Sequence, residues 1–285
     1  MRSLAGPLAS AEWLRRELAA GEPDLAVVDV RCSLTDPDWG RNRYREGRLP
    51  GAVFADMEED LSARKTGTNG RHPLPSTEAA ARMFGRLGIG PETSVVAYDH
   101  ASGMFAARVW WMLRLLGHDD AAVLDGGLAA WEEAGGALET GEVTRPAVRF
   151  VPRPREGLEV GLPEVEAALG TGTHLLLDAR EEFRWRGERE PIDPVAGRIP
   201  GARNHPWQQN LGGDGRFLAA EELRAGFGPV RAKADGRRIV CYCGSGLTAA
   251  VNALALELAG IGPVSLYTGS WSEWCADPAR PVERG

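Results

Sequence analysis

Lysine is nearly absent. Lys65 and Lys233 are the only two among 285 residues, so almost all positive charge is arginine. Cysteine is scarce too: Cys32, Cys241, Cys243 and Cys275 are too few to frame a chain of this length with disulfides. No run of about 18 apolar residues occurs, which removes a membrane-spanning helix. The chain also lacks an excess of basic charge, since 33 Lys and Arg stand against 40 Asp and Glu for a net −7. That sign offers no broad footprint for nucleic acid or acidic lipid, although a local basic pocket for a small anion stays open. The opening residues, MRSLAGPLASAEWLRREL, place no unbroken apolar core behind a basic head, so no secretory leader is expected. A cytoplasmic protein with reduced cysteines is the expectation, with neither nucleic acid nor membrane as a partner.

What is present is ordinary globular material, 43% hydrophobic and 26% charged, enough for one large domain or two of usual size. Internal similarity decides between them. The apolar run Leu25–Val30 carries Asp29, and Leu175–Ala179 carries Asp178. Gly47-Arg-Leu-Pro-Gly-Ala52 follows the first, and Gly197-Arg-Ile-Pro-Gly-Ala202 the second. Ser94-Val-Val-Ala-Tyr-Asp99 matches Arg238-Ile-Val-Cys-Tyr-Cys243, and Leu124–Trp131 matches Tyr267–Trp274. The spacing agrees as well, with 32 residues from Asp99 to Trp131 and 31 from Cys243 to Trp274. The chain therefore reads as one fold used twice.

The boundaries follow from composition. Residues 1–140 form the first domain and 158–285 the second. Residues 141–157, GEVTRPAVRFVPRPREG, read as an extended linker with three prolines and no helical period. Ser10 is a candidate N-cap for the first helix. Helical apolar spacing marks Thr77–Leu87, Ala106–Leu116, Glu221–Phe227 and Thr248–Leu258. Short β-rich runs alternate with these, at Leu25–Val30, Ser94–Tyr98, Ala121–Leu124, Leu175–Leu177, Arg238–Tyr242 and Pro263–Tyr267. Such alternation predicts an α/β fold, each domain a parallel sheet with helices on both faces. Ligands of such sheets sit beyond the carboxyl ends of the strands, which points at Asp99 and Cys243.

Cys243 ends a strand, and Gly244 and Gly246 permit a tight turn before a helix that Thr248 could cap. Backbone N–H groups in such a loop converge on an anion, and they favour thiolate over thiol. The same cradle, Gly244 to Thr248 including Ser245 and Leu247, suits a persulfide with its charge on the outer sulfur. A buried structural cysteine is the plainer alternative. Phosphatase chemistry of the tyrosine-phosphatase kind needs an Arg six positions after the Cys, and Ala249 stands there. Cys241, two before Cys243, has neither a second cysteine pair nor a histidine beside it, so no metal site is expected. It reads as a small buried hydrophobe, with a redox partnership as a lesser option. Cys32 and Cys275 read as structural. Trp110, Trp111, Trp131, Trp271 and Trp274 read as filling cores and the domain interface.

The tandem repeat, the loop Cys243-Gly-Ser-Gly-Leu-Thr-Ala249, the helix Arg108-Val-Trp-Trp-Met112, the turn Asp125-Gly-Gly-Leu128 and Gly269-Ser-Trp-Ser-Glu-Trp274 together resemble the two-domain rhodanese family. The loop is most similar to that of its mercaptopyruvate sulfurtransferases; thiosulfate-specific members usually carry Arg and Lys after the Cys. The resemblance implies two tandem rhodanese-like domains with the active site at their interface, and Asp99 standing where the first domain has lost its nucleophile. It implies transfer of a sulfane sulfur from a small anionic donor, 3-mercaptopyruvate or thiosulfate, through a persulfide on Cys243. The acceptor would be cyanide, a thiol or a protein, and neither metal nor organic cofactor is required.

The resemblance also supplies partners for the cysteine. Arg184 matches a substrate-contacting arginine, with Arg186 its neighbour. A second substrate arginine, usual after a Glu-Pro pair, is replaced by Ile192, and Arg189 or Arg198 are left as substitutes. His72 matches a first-domain histidine that reaches the cysteine loop, and Ser245 a serine relaying protons with it. A carboxylate would complete the relay, Glu58 being the closest match and Asp56 its rival. The competing view is a non-catalytic rhodanese-like scaffold or a thiol redox-sensing module.

Overall fold

The computed structural model describes residues 4–285. The chain divides into two compact units. The first comprises residues up to Ala63, Pro75–Arg155 and Gly213–Arg216; the second comprises Arg64–Leu74, Glu156–Gly212 and Phe217–Gly285. Residues 64–74 therefore pack with the second unit although they lie early in the sequence. Between them the units hold two parallel sheets, as the alternation predicts.

In the first unit the strands are β1 (Leu8–Ala9), β2 (Leu25–Asp29), β3 (Val53–Phe54), β4 (Ser94–Tyr98) and β5 (Ala121–Leu124), in the order β1-β5-β4-β2-β3. Its helices are α1 (Ala11–Ala20), α2 (Trp39–Glu46), α3 (Thr77–Arg86), α4 (Ala106–Leu115) and α5 (Gly127–Glu133). Ser10 caps α1, its hydroxyl accepting the Trp13 N–H at 3.2 Å. β2 and β4 are buried at every position, as strands covered on both faces must be. Leu14, Leu25, Val27, Val96, Tyr98 and Trp131 share one core, while Trp110 and Trp111 are buried on α4.

The second unit repeats the plan with β6 (His174–Asp178), β7 (Arg203–Asn204), β8 (Arg238–Tyr242) and β9 (Val264–Leu266), ordered β7-β6-β8-β9. Its helices are α6 (Leu162–Thr171), α7 (Glu182–Trp185), α8 (Ala220–Gly226), α9 (Gly228–Ala234), α10 (Thr248–Leu258) and α11 (Ser270–Trp274). From Thr248 to Leu256 α10 is buried all round, so it carries no polar stripe. Trp271 and Trp274 are fully buried with Leu176, Val240, Tyr242 and Tyr267.

Residues 141–157 form neither helix nor strand, and the segment docks on the first unit as far as Arg155. Val148 N–H donates to the Gly85 carbonyl at 3.0 Å, and Arg153 N–H to Leu116 at 2.8 Å. A proline-rich stretch satisfies its backbone here by lying along other elements instead of making its own.

The duplicated motifs build the same tie twice. Asp29 ends β2, and Arg31 grips it through Nε at 3.1 and 3.0 Å and Nη2 at 2.6 Å, while Nη2 also donates to the Gly47 carbonyl at 2.6 Å. Asp178 ends β6, and Arg180 repeats the grip, with Nη2 reaching Asp178 and the Gly197 carbonyl, both at 2.7 Å. Tyr98 donates its hydroxyl to Asp29 and accepts the Leu49 N–H at 3.2 Å; Tyr242 accepts the Ile199 N–H at 3.4 Å. Each tie joins a strand end to the Gly-Arg-Leu/Ile-Pro-Gly-Ala turn with its charges fully paired, which is the condition for burying them.

Arg31→Leu leaves the Asp29 carboxylate buried without its cation, and the expected loss is about 3–5 kcal/mol. Urea unfolding followed by fluorescence measures it; a loss under about 1 kcal/mol would mark the pair as no stronger than a surface bridge.

Candidate active site

β8 delivers Cys243 to the carboxyl edge of its sheet, and residues 244–247 turn into α10. The turn requires Gly246, whose φ of 83° is open to glycine but strained for side chains. Sγ of Cys243 accepts the Gly246 N–H at 3.1 Å and the Ser245 N–H at 3.4 Å. The Leu247 and Thr248 N–H groups make no hydrogen bond among the described residues. Leu247, not Thr248, occupies the N-cap position, and no side chain caps α10. Its first N–H groups and the positive end of its dipole are left facing the loop, an arrangement that favours an anion.

The turn before α11 pins this loop from behind. Cys243 N–H donates to Ser270 Oγ at 3.1 Å, and the Trp271 and Ser272 N–H groups donate to the carbonyls of Cys243 and Gly244, both at 2.9 Å. Ser270 holds a left-handed φ of 56° and donates its hydroxyl to the Tyr267 carbonyl at 2.9 Å. Strain of this kind persists only where surrounding bonds over-determine it.

The other three cysteines are held as thiols. Burial pushes Cys32 up to about 12 and Cys275 to about 11. Burial, with the neighbouring Cys243 second, pushes Cys241 higher still, and Cys241 has no exposed surface. A protonated sulfur enclosed in a sheet interior is a packing group, not a nucleophile. Cys243 is itself 2% exposed, but its sulfur faces amide donors.

Residues 64–74 bring His72 to this loop. His72 Nδ1 lies 2.8 Å from Ser245 Oγ, and both side chains are buried. Arg71, adjacent in sequence, anchors the segment: its N–H donates to Ser272 Oγ at 3.0 Å and its guanidinium pairs with Asp193. Arg184, on α7, is buried and reaches Glu190 at 2.7 Å and Asp193 at 3.2 Å. Arg180 adds a 3.2 Å bond to Glu190. Burial alone would raise Glu190, but Arg184 and the N–H groups of Asp193 and Ile192 more than reverse this and hold it below the usual carboxylate range. Asp193 goes the other way, because burial outweighs the pull of Arg71.

Gly244 shows how closely these cations approach. A Cβ there would stand 2.7 Å from Arg71 Nη2 and 3.3 Å from Arg184 Nη2. Glycine is what lets two guanidinium groups meet the residue beside the cysteine.

The structure thus gathers Cys243, Ser245, His72, Arg184 and the 244–248 loop. It does not bring Arg186 to them: that side chain is exposed, ion-paired with Glu182 at 2.5 Å, and lines a separate groove with Trp185, Arg203 and Lys233. Arg198 is spent on Glu283 at 2.5 Å and on the Gly285 carbonyl at 2.8 Å. Arg189 lies over the Phe183 ring. Glu58 lies in the first unit, exposed, in a turn organised by Asp56, whose carboxylate accepts its N–H at 2.8 Å. Sequence reasoning passed over Arg71 and Asp193; the signal for Arg71 was its place beside His72.

Residues 10–134 and 162–277 both match the rhodanese-like domain family. The chain belongs to that family. A probable 3-mercaptopyruvate sulfurtransferase of Pseudomonas aeruginosa is 47% identical over 98% of this chain and all of its own length. A putative thiosulfate sulfurtransferase, SseB, of Mycobacterium tuberculosis is 42% identical over all of this chain and 99% of its own. Among solved structures, the 3-mercaptopyruvate sulfotransferase SseA of Escherichia coli superposes with a TM-score of 0.81 at 32% identity, covering 94% of this chain and 99% of that one.

Neutral iodoacetamide should alkylate Cys243 at least about tenfold faster than Cys32, Cys241 or Cys275 in the folded rhodanese, since its sulfur meets two loop N–H donors while burial holds the other three as thiols. Peptide mass spectrometry over a time course checks this. Equal labelling of Cys241 would contradict its assignment as a sealed thiol.

Proposed function

We propose that this sulfurtransferase carries sulfur as a persulfide on Cys243, taken from a small anionic donor and passed to cyanide or a thiol. The observation that carries the reading is the Cys243 sulfur receiving two loop N–H groups at the mouth of a helix whose own N–H groups are unused. The thiolate attacks the donor sulfur and an S–S bond forms. With thiosulfate the donor's S–S bond breaks and sulfite leaves. With 3-mercaptopyruvate a C–S bond breaks, and pyruvate leaves after its enolate carbon gains the proton that the donor thiol gives up. An acceptor then attacks the outer sulfur and returns the Cys243 thiolate, a ping-pong cycle.

That proton shift from sulfur to carbon favours 3-mercaptopyruvate as donor, because a hydroxyl and an imidazole stand beside the cysteine. His72 and Ser245, 2.8 Å apart, can accept and return a proton near the reacting sulfur. The relay proposed here runs through His72 and Ser245, with Glu58 kept as the carboxylate that the family resemblance supplies. Arg184 is the anchor for the donor's anionic group, since its guanidinium lies over Gly244 and is held rigid by Glu190. The loop N–H groups from Gly244 to Thr248 stabilise the charged outer sulfur.

The test is thiocyanate formation from cyanide with each donor supplied separately. Turnover with either donor is expected, higher kcat/KM with 3-mercaptopyruvate, complete loss in Cys243→Ser and most activity kept in Cys241→Ser. Folded, reduced protein inert with both donors would end the sulfurtransferase assignment, and equal loss in the two variants would replace it with a two-cysteine redox mechanism.

A further inference from the structure

We infer that Arg71 is the second donor-binding cation of this site, filling the role left vacant at Ile192, with Asp193 as the residue that positions it. The inference rests on the sulfurtransferase reading and deepens it. Ile192 contributes no charge: its side chain is 55% exposed, and only its backbone N–H joins the network, donating to Glu190 at 3.1 Å.

Arg71 reaches the site from the far side of the chain. The Ser272 hydroxyl fixes its backbone, and Asp193 takes its Nη1. The other Asp193 oxygen takes Arg184 Nη2 at 3.2 Å, so one carboxylate spaces two guanidinium groups. Both converge on Gly244, next to the sulfur that must attack.

The members of the cluster are not equally available. Arg180 and Arg184 have side chains 1% and 8% exposed, and their forks are occupied by Asp178, Glu190 and Asp193 except for Nη1 of Arg184, which has Glu181 at 3.6 Å. Arg71 is 30% exposed, and its Nη2 and Nε make no hydrogen bond among the described residues. It is the guanidinium with the most donors to spare. A planar carboxylate beside a keto group suits such a fork, which binds in bidentate fashion where a lysine offers a point charge. The ligand class is thus a small 2-keto carboxylate, held at its acid end by Arg71 and Arg184 together. Asp193 occupies only Nη1 of Arg71 and so leaves the rest of the fork to the ligand.

Because the cycle is ping-pong, kcat/KM for donor and for cyanide report separate half-reactions. Arg71→Ala should lower kcat/KM for 3-mercaptopyruvate about 10- to 100-fold and leave kcat/KM for cyanide within about twofold. Arg71→Lys should fall between, keeping charge but losing the fork. Pyruvate, tested as a competitive inhibitor against donor, should lose affinity in parallel. A donor half-reaction within twofold of wild type would overturn the inference. So would equal losses in both half-reactions, which mark a structural role. A wild-type enzyme that yields no thiocyanate from any donor would instead defeat the underlying sulfurtransferase reading, a separate result.

Discussion

Backbone amides converging at the end of a parallel strand are the constraint on which this molecule is organised. The two units show the same device in different states. In the first, Asp99 ends β4 and its carboxylate accepts four loop N–H groups, from Ala101 and Phe105 at 2.8 and 2.7 Å and from Gly103 and Ala106 at 3.0 and 2.8 Å. An anion is built into the cradle, and the side chain is wholly buried. In the second unit the cradle holds one sulfur on two N–H groups, and two more remain unpaired. A nest saturated by its own carboxylate has nothing left to offer a ligand; a nest with two N–H groups unused still has donors to offer an anion. The first unit is therefore an internal control for the chemistry of the second.

For such a cradle to work, its strand end must not move. The Asp–Arg–Tyr tie supplies this beside each loop, joining the end of the adjacent strand to a Gly-Pro turn. In the second unit it also reaches into the site, because Arg180 binds Glu190, and Glu190 holds Arg184. The scaffold and the proposed donor pocket share an arginine. A charge pair that would be a costly luxury in a core is repeated in both halves: it fixes backbone first, and in one half orients the Arg184 guanidinium as well.

The fold was legible because its signals are periodic and local. The doubled motifs, the buried strands and the helices at Thr77, Ala106 and Thr248 can all be read from neighbours in sequence, and the strand-end cysteine follows from them. The helix cap at Thr248 was misread, since the turn places Leu247 there, and hydroxyl residues predict caps only where the backbone leaves the extended region in the right place. Arg186 was drawn to the site by adjacency to Arg184, yet two positions along a helix point to different sides, and it pairs one turn back with Glu182. Arg71 was invisible for a different reason, and only the family resemblance, through His72, pointed its segment at the cysteine loop. Nothing local records that a loop numbered before the first unit's α3 will donate its backbone N–H to Ser272. Long-range docking of an irregular segment leaves no period to read.

The composition of the proposed donor pocket has a consequence for affinity. Three arginines, Arg71, Arg180 and Arg184, face Asp178, Glu190 and Asp193, with Glu181 3.6 Å from Arg184 as a fourth carboxylate. Without donor every arginine of the cluster already has a carboxylate partner, so the pocket is no general trap for anions. A donor meets Arg71 through the Nη2 and Nε that Asp193 leaves unused, and gains less than it would from an unpaired guanidinium. Arg184 holds Glu190 below the usual carboxylate range, whereas burial raises Asp193. Arg71 is also the arginine of the cluster with exposed surface. In the proposed cycle pyruvate or sulfite must leave as readily as donor is captured, and carboxylates that already hold part of each arginine keep that affinity modest. Charge pairing around the cysteine is thus compatible with anion chemistry, and it favours turnover over tight binding.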